Sequence, residues 1–292
     1  MTVRSVAVVI PSYNHGRYLP ATLGSVFRQT QPPAELHVID DGSTDDSVEV
    51  IERAFAEYSG PIRCQLTVRG NRGISATRNE LVAATTTDYV AFLDSDDLYA
   101  PRRLECMLES APPEGRWFAF SGVDFLFEEG AGTSLDTVAD WQEVYQLKLG
   151  QGMSFPTAGF ALLRSNIAIS ASNFVVSRTL LDAVGGFDGR IRICQDWDWA
   201  VAALRFVEPT FVPHALLTYR IHAHNASRDA GRTATKEIDL VFEKFRRWML
   251  DPTENSIAPT PRNWPHYFRI FAHLSTSAAG RSLVSRLPPQ VV

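Results

Sequence analysis

The alternation of apolar and polar positions divides much of the chain into a repeated unit of strand, loop and helix. Ser5 to Ile10 is a continuous run rich in Val, the pattern of a strand covered on both faces in a parallel sheet. It meets the turn formers Pro11-Ser12-Tyr13-Asn14-His15-Gly16, after which Leu19, Leu23, Val26 and Phe27 recur at helical spacing as far as Pro32-Pro33. Leu36 to Ile39 repeats the strand, Asp40-Asp41-Gly42-Ser43-Thr44-Asp45 the loop, and Val48, Ile51 and Phe55 the helix. Cys64 to Val68 predicts a third strand, Ile74 to Ala84 a third helix, and Tyr89 to Leu93 a fourth strand that runs without a spacer into Asp94-Ser95-Asp96-Asp97. Pro101 opens a short helix with Leu104, Met107 and Leu108 on one face, and Phe118 to Leu126 reads as another strand. Strands alternating with helices predict an α/β fold, with a parallel sheet, right-handed crossovers and loops gathered along one edge.

From Glu128 to Gly159 the periodicity weakens, which predicts a long irregular excursion containing Trp141 and Tyr145. Loops of that length in compact domains often serve as lids or binding surfaces. Regular pattern returns at Ile169 to Val176, followed by a short helix closed by Gly185-Gly186-Phe187-Asp188. Gln195-Asp196-Trp197-Asp198-Trp199 then opens a helix in which Trp197, Val201 and Leu204 share a face. Phe211 to Ile221 holds one or two short strands, leading into His222-Ala223-His224-Asn225. Ile238, Val241, Phe242, Phe245, Trp248 and Met249 form an amphipathic pattern, and Trp264, Phe268, Phe271 and Leu274 predict another helix after a Pro-rich linker. These aromatics read as core or interface rather than as a ligand box.

Composition narrows the function. At 292 residues the chain fits one large domain or a domain with an appendage. A net charge of −5, with no basic stripe interleaved with aromatics, argues against nucleic acid as a partner. Cys64, Cys106 and Cys194 are far apart and lack metal-ligand spacing, so they read as reduced thiols of a cytoplasmic protein. The first apolar run meets Pro11 too early for a signal sequence, and no window reaches the ~18 apolar residues of a membrane span. Peripheral contact at the inner face of a membrane stays open. The crowding of Asp94, Asp96 and Asp97 needs a reason, because like charges this close must be solvated, paired or gathered around a cation. A strand delivering them to the ligand-binding edge of an α/β sheet favours a divalent metal, and with it a phosphate-bearing substrate. The competing reading is an acidic turn that caps the next helix.

Val9-Ile10-Pro11-Ser12-Tyr13-Asn14, Ile39 to Asp45, Asn71-Arg72-Gly73 with Arg78-Asn79, Phe92 to Asp97, Gly185 to Asp188 and Gln195 to Asp198 occur in the order seen in family-2 glycosyltransferases of the GT-A fold, which the chain resembles over residues 5 to 225. The resemblance implies a GT-A domain over 1–228, with its nucleotide-binding part about 1–127, its acceptor part about 128–228, and a helical extension over 229–292. It implies inverting transfer of a sugar from a nucleoside-diphosphate donor to a hydroxyl acceptor, carbohydrate or lipid-linked, with Mn²⁺ or Mg²⁺ as cofactor. By match to the family motifs, Asp97 ligates the metal with His222, Asp96 holds the ribose or supports the metal shell, and Asp196 is the general base. Asp94 is expected to be structural. One departure is Gln195, where many relatives carry Glu, and it bears on the tuning of Asp196 more than on its identity.

Asp41 is the expected reader of the base. An ionised carboxylate accepts but does not donate, which suits the ring N–H of uracil, thymine or guanine and not cytosine, so UDP is favoured, with dTDP and GDP as alternatives. Pro11 and Tyr13 are expected to line the base pocket. Arg78 suits a phosphate or an ion pair with the acidic loop. Asp198 is the weaker base candidate, placed to bond an acceptor hydroxyl, and Trp197 and Trp199 are read as core ahead of sugar stacking. Two other classes compete: a nucleotidyltransferase, whose Gly-rich basic signature after the first strand is absent, and a non-catalytic sugar-nucleotide-binding protein, against which Asp196 argues.

Overall fold

The computed structural model describes residues 4–128, 157–223 and 231–250, with isolated positions between them. Eight strands form one sheet, β1 (Val6–Ser12), β2 (Glu35–Asp40), β3 (Arg63–Val68), β4 (Tyr89–Phe92), β5 (Leu98–Tyr99), β6 (Phe118–Phe127), β7 (Val175–Ser177) and β8 (Thr210–Ile221), in the order β3-β2-β1-β4-β7-β6-β8-β5. The pairings β3-β2, β2-β1, β1-β4 and β6-β8 are parallel; β7 is antiparallel to both β4 and β6, and β5 is antiparallel to β8. The helices are α1 (Leu19–Phe27), α2 (Ser47–Glu57), α3 (Ile74–Ala84), α4 (Arg103–Glu109), α5 (Ala158–Arg164), α6 (Arg178–Val184), α7 (Gln195–Ala203) and α8 (Gly231–Leu250). The α/β class expected from the alternating pattern is the one observed.

The sheet divides two apolar cores, and the period-2 geometry of its strands decides which side chain enters which. Val6, Val8 and Ile10 of β1 join Leu19, Leu23 and Val26 of α1, Ile51 of α2 and Leu104, Met107 and Leu108 of α4. Val9, between them, faces the other layer with Leu81 of α3, Leu180 of α6, Trp197 and Trp199 of α7 and Val241, Phe242 and Phe245 of α8. Residues 6 to 12 are buried throughout, so β1 carries no polar face and reads as a continuous apolar run. It also continues through Pro11, which the turn-former reading had put in a loop; Pro11 sits at the end of the strand, where one lost amide costs least.

Other differences from expectation have equally local causes. The pattern from Ile169 to Val176 resolves into a 3-10 turn, Ala171–Asn173, followed by three residues of β7. The expected one or two strands over Phe211 to Ile221 are one strand, Thr210–Ile221, of twelve residues, with register shifts against β6 near Gly122. There a Cβ on Gly122 would lie 3.0 Å from the His214 carbonyl oxygen. Helix α5 falls partly within the expected irregular excursion. Most of that excursion, Trp141 included, and the second C-terminal helix expected around Trp264, Phe268, Phe271 and Leu274 lie outside the described residues. Helix α8 contributes to the same core as α7, so packing crosses the expected boundary at 228. No helix among the described residues is long and apolar enough to cross a membrane.

Candidate active site

The carboxyl ends of β1, β2 and β4 deliver the acidic motifs to one edge, and each carboxylate finds a different environment. Asp40 is fully buried and accepts from Ser12 Oγ at 3.1 Å, Ser43 N at 2.8 Å and Ser43 Oγ at 2.7 Å. Its job is to fold the loop after β2. Gly42, with φ of +84°, makes the turn, and a Cβ there would stand 2.9 Å from Asn71 N. Asp41 reaches the neighbouring loop, where Oδ1 accepts from Arg72 N at 2.8 Å and from the Arg69 guanidinium, and Oδ2 from Gly73 N at 2.9 Å. Pro11 is buried beneath this region, whereas the Tyr13 ring is 47% exposed.

The turn after β4 is held from below by Ser172 of the 3-10 turn, whose hydroxyl accepts from Asp94 N at 2.9 Å and donates to Asp97 Oδ2 at 2.6 Å. Asn173 fixes that turn: buried completely, it bonds Ser121 N and O, Ala168 O and Arg103. The other Asp97 oxygen accepts from Arg220 N at 2.9 Å. Burial and the nearby Asp96 and Asp94 charges hold the Asp97 carboxyl well above the usual carboxylate range. Asp94 pairs with Arg78 at 2.5 Å, so of the two expected roles for Arg78 the ion pair with the acidic loop is present. Arg78 is 3% exposed, and its Nε and Nη1 have no hydrogen-bond partner among the described residues.

Asp96 is the carboxylate that meets two histidines. His222 Nε2 lies 2.9 Å and His15 Nε2 4.0 Å from its Oδ2. Burial pushes the Asp96 carboxyl up, but the His222 hydrogen bond and the two imidazoles outweigh it and leave the group below its ordinary value. The three ligand-type atoms lie within 4.8 Å of one another, a donor set that fits a divalent cation. Around them, Tyr18 stacks obliquely on His222 with centroids 4.6 Å apart, and Arg220 bonds Asp96 O at 2.7 Å and Glu128 Oε1 at 2.9 Å. Glu128 also receives Arg17 and the Tyr18 hydroxyl. His15, Tyr18, Glu128 and Arg220 went without roles in the sequence reading. For His15 a signal existed, a His in the loop beyond a buried parallel strand; Glu128 sits in weakly patterned sequence and had none.

Asp196 stands at the first turn of α7, 8% exposed, with Oδ1 accepting from Trp197 N at 2.6 Å and Oδ2 3.5 Å from Asn166 Nδ2. Burial, opposed by the positive charge of Arg78, raises its carboxyl to about 6. Arg78 therefore ties the two acidic regions together, bonded to Asp94 and acting electrostatically on Asp196. Asp198, the weaker candidate, turns to α8 instead and pairs with Lys244 at 2.6 Å. Glu237 of α8 accepts from Arg192 N, Ile193 N and Cys194 N at 2.8 to 2.9 Å, which holds the segment leading into α7 from outside. The indoles of Trp197 and Trp199 are buried, their N–H groups on Leu162 O and Gly185 O, as core residues. Asn79 clasps the loop before α7 through Phe187 N and O, and a Cβ on Gly186 would collide with it at 2.7 Å.

With this geometry in place, comparison with known proteins is decisive for class. Residues 7–170 match the model of glycosyl transferase family 2, and the chain belongs to that family. An uncharacterized glycosyltransferase of Nostoc is 36% identical over 104 residues, which cover 36% of this chain and 32% of that one. The chain spans from about a third to a half of the length of the first curated relatives it matches. In three dimensions it is similar to Staphylococcus aureus TarS in complex with UDP-GlcNAc, with a TM-score of 0.63 and 15% identity over 98% of this chain and 82% of that one. It is also similar to the Pyrobaculum calidifontis mannosyltransferase PcManGT in complex with GDP-Man and Mn²⁺, with a TM-score of 0.58 and 18% identity over 97% and 80% of the two chains. The expected GT-A fold is thereby shown.

Proposed function

We propose that the chain moves a sugar from a nucleoside-diphosphate donor to an acceptor hydroxyl by a single inverting displacement. The observation that carries this reading is the contrast between Asp96, held in its ionised form beside two imidazoles, and buried Asp196, raised to about 6 although the Arg78 charge opposes the rise. A carboxyl in that range suits a general base near neutral pH. Asp196 takes the proton from the acceptor hydroxyl as its oxygen bonds the anomeric carbon, and the bond from that carbon to the diphosphate oxygen breaks with its electron pair leaving on the diphosphate. Arg78 keeps Asp196 from being protonated outright and offers its two unpaired N–H groups to an anion or a hydroxyl.

For the metal we assign Asp96 and His222, in place of the expected Asp97. Both Asp97 oxygens are already engaged, accepting from Ser172 Oγ and Arg220 N, whereas Asp96 Oδ2 meets two imidazole nitrogens. When bound, a divalent cation supplies Lewis-acid stabilisation of the departing diphosphate. The GT-A neighbours support the donor class, since TarS is seen with UDP-GlcNAc and PcManGT with GDP-Man and Mn²⁺. Asp41 remains the proposed base reader: the lone pair that Oδ2 keeps beyond its bond from Gly73 N would accept a ring N–H, with UDP favoured. Tyr13, exposed above buried Pro11, would cover the base.

A panel of nucleoside-diphosphate sugars with Mn²⁺ tests the whole reading. Release of nucleoside diphosphate, lost in Asp196→Asn with donor binding retained, is the expected result. Pyrophosphate released from a nucleoside triphosphate would point to a nucleotidyltransferase instead, and donor binding without turnover under any acceptor to a binding protein.

A further inference from the structure

The first loop holds a histidine aimed at the same oxygen that His222 approaches from the end of β8. We infer that His15 is a third protein ligand of the cation, and that the site consequently takes Mn²⁺ and cations of its class in preference to Mg²⁺. This rests on the metal reading above and extends it to a residue and a selectivity.

The geometry is that of a shared centre. An octahedral cation with ligands at about 2.1 Å places adjacent ligand atoms about 3.0 Å apart and opposite ones about 4.2 Å apart. His222 Nε2 to Asp96 Oδ2 is 2.9 Å, His15 Nε2 to the same oxygen is 4.0 Å, and all three atoms lie within 4.8 Å. The rings meet edge to face, with centroids 5.7 Å apart, so neither imidazole blocks the approach of the other.

His15 is also prepared for the task. Its Nδ1 lies 2.8 Å from Ser95 Oγ, the middle residue of the acidic turn. When that oxygen accepts from Nδ1–H, the lone pair stays on Nε2, which is how outer partners orient metal-binding imidazoles. The backbone is pinned as well, with His15 N on Ser47 Oγ at 3.1 Å, Asn14 N on Ser43 Oγ at 2.8 Å and Gly16 N on Asp45 Oδ2 at 2.9 Å. A ligand fixed in this way loses little freedom on binding.

Selectivity follows from the atoms. Mg²⁺ prefers oxygen and keeps much of its water, whereas imidazole suits the first-row transition cations. One carboxylate with two imidazoles is therefore a poor Mg²⁺ set and an adequate Mn²⁺ set.

The test is calorimetric titration of the full chain with Mn²⁺ alone and with Mg²⁺ alone, for wild type, His15→Ala, Ser95→Ala and Asp96→Ala, with folding checked by circular dichroism. The wild type is expected to bind Mn²⁺ about tenfold or more tighter than Mg²⁺. His15→Ala should lose about tenfold in Mn²⁺ affinity with little change for Mg²⁺, and Ser95→Ala should lose on the order of tenfold. Mn²⁺ affinity in His15→Ala within about twofold of wild type overturns the inference, as does a wild type that binds Mg²⁺ as tightly as Mn²⁺. If Asp96→Ala also leaves Mn²⁺ binding intact, the metal reading itself falls. Electron spin echo modulation of Mn²⁺-loaded wild type needs no variant: two coupled imidazoles support the inference, and one overturns it.

Discussion

The loop region after β1 and β2 and the region around Asp196 both present buried acids, yet they are built on opposite principles. Asp40 and Asp41 have their oxygens met by backbone amides, serine hydroxyls and Arg69, so removing either carboxylate strands several donors. Around Asp196 the bonds are sparse: Asn166 Oδ1, Asp198 Oδ1 and two nitrogens of Arg78 are buried with no hydrogen-bond partner among the described residues. Satisfied acids hold a loop in shape. An under-bonded acid instead keeps a high proton affinity, which is unfavourable for folding and useful for abstracting a proton.

The largest effect is expected from the under-bonded side. Asp196→Asn should reduce turnover by about 10²–10⁴-fold in a nucleoside-diphosphate release assay. Its stability should move the other way. Because the folded carboxyl is raised to about 6 from 3.8, the state without the charge penalty is fully present below 3.8 and is lost as pH rises through about 6. Ionised Asp196 thus costs about 3 kcal/mol at pH 8. Asp196→Asn should melt above wild type at pH 8 and converge with it near pH 4, and a lower melting temperature at pH 8 would break the contrast between the two regions.

On the satisfied side, Asp41→Ala leaves Arg69 with Glu80 as its remaining carboxylate and strands two backbone amides, and should cost about 2 kcal/mol in denaturant unfolding. An unchanged midpoint would mean that the loop after β3 holds itself. A smaller effect is expected from Glu237→Gln, which keeps the shape but removes the charge from three amide hydrogen bonds in the segment leading into α7. Turnover should fall by a few fold with donor affinity unchanged, while stability drops by roughly 1 kcal/mol. The smallest is a pH effect. The acid limb of kcat/KM should rise through about 6, and Arg78→Met should shift that limb upward by a fraction of a unit.

How far the sequence reveals this depends on how far apart the interacting residues are. The strands β1, β2 and β4 and the acids at their ends were readable because apolar run and motif adjoin, as in Tyr89 to Asp97. The division of labour within Asp94 to Asp97 was not. It is set by Ser172, Arg220 and His222, residues 75 to 126 positions away, which decide that both Asp97 oxygens are taken by a hydroxyl and a backbone amide while Asp96 meets an imidazole. The two-residue β5 left no periodic trace because it is too short to repeat a pattern, and the run from Ile169 to Val176 gave no sign that the three residues of β7 pair antiparallel. Glu237 was invisible for a different reason: on an amphipathic helix, a glutamate that holds the segment leading into another helix looks like any solvated one.

The attachment of α8 also bears on recombination within the family. Glu237 and Lys244 reach across to the segment carrying Asp196, and Val241, Phe242 and Phe245 fill the core beneath it. A chimera joined at residue 228 would inherit Asp196 from one parent and the residues that support its helix from another, whereas a junction inside the β3 to α3 loop would leave the two in one piece. Exchange of acceptor preference between relatives should accordingly tolerate crossovers early in the chain and resist them late.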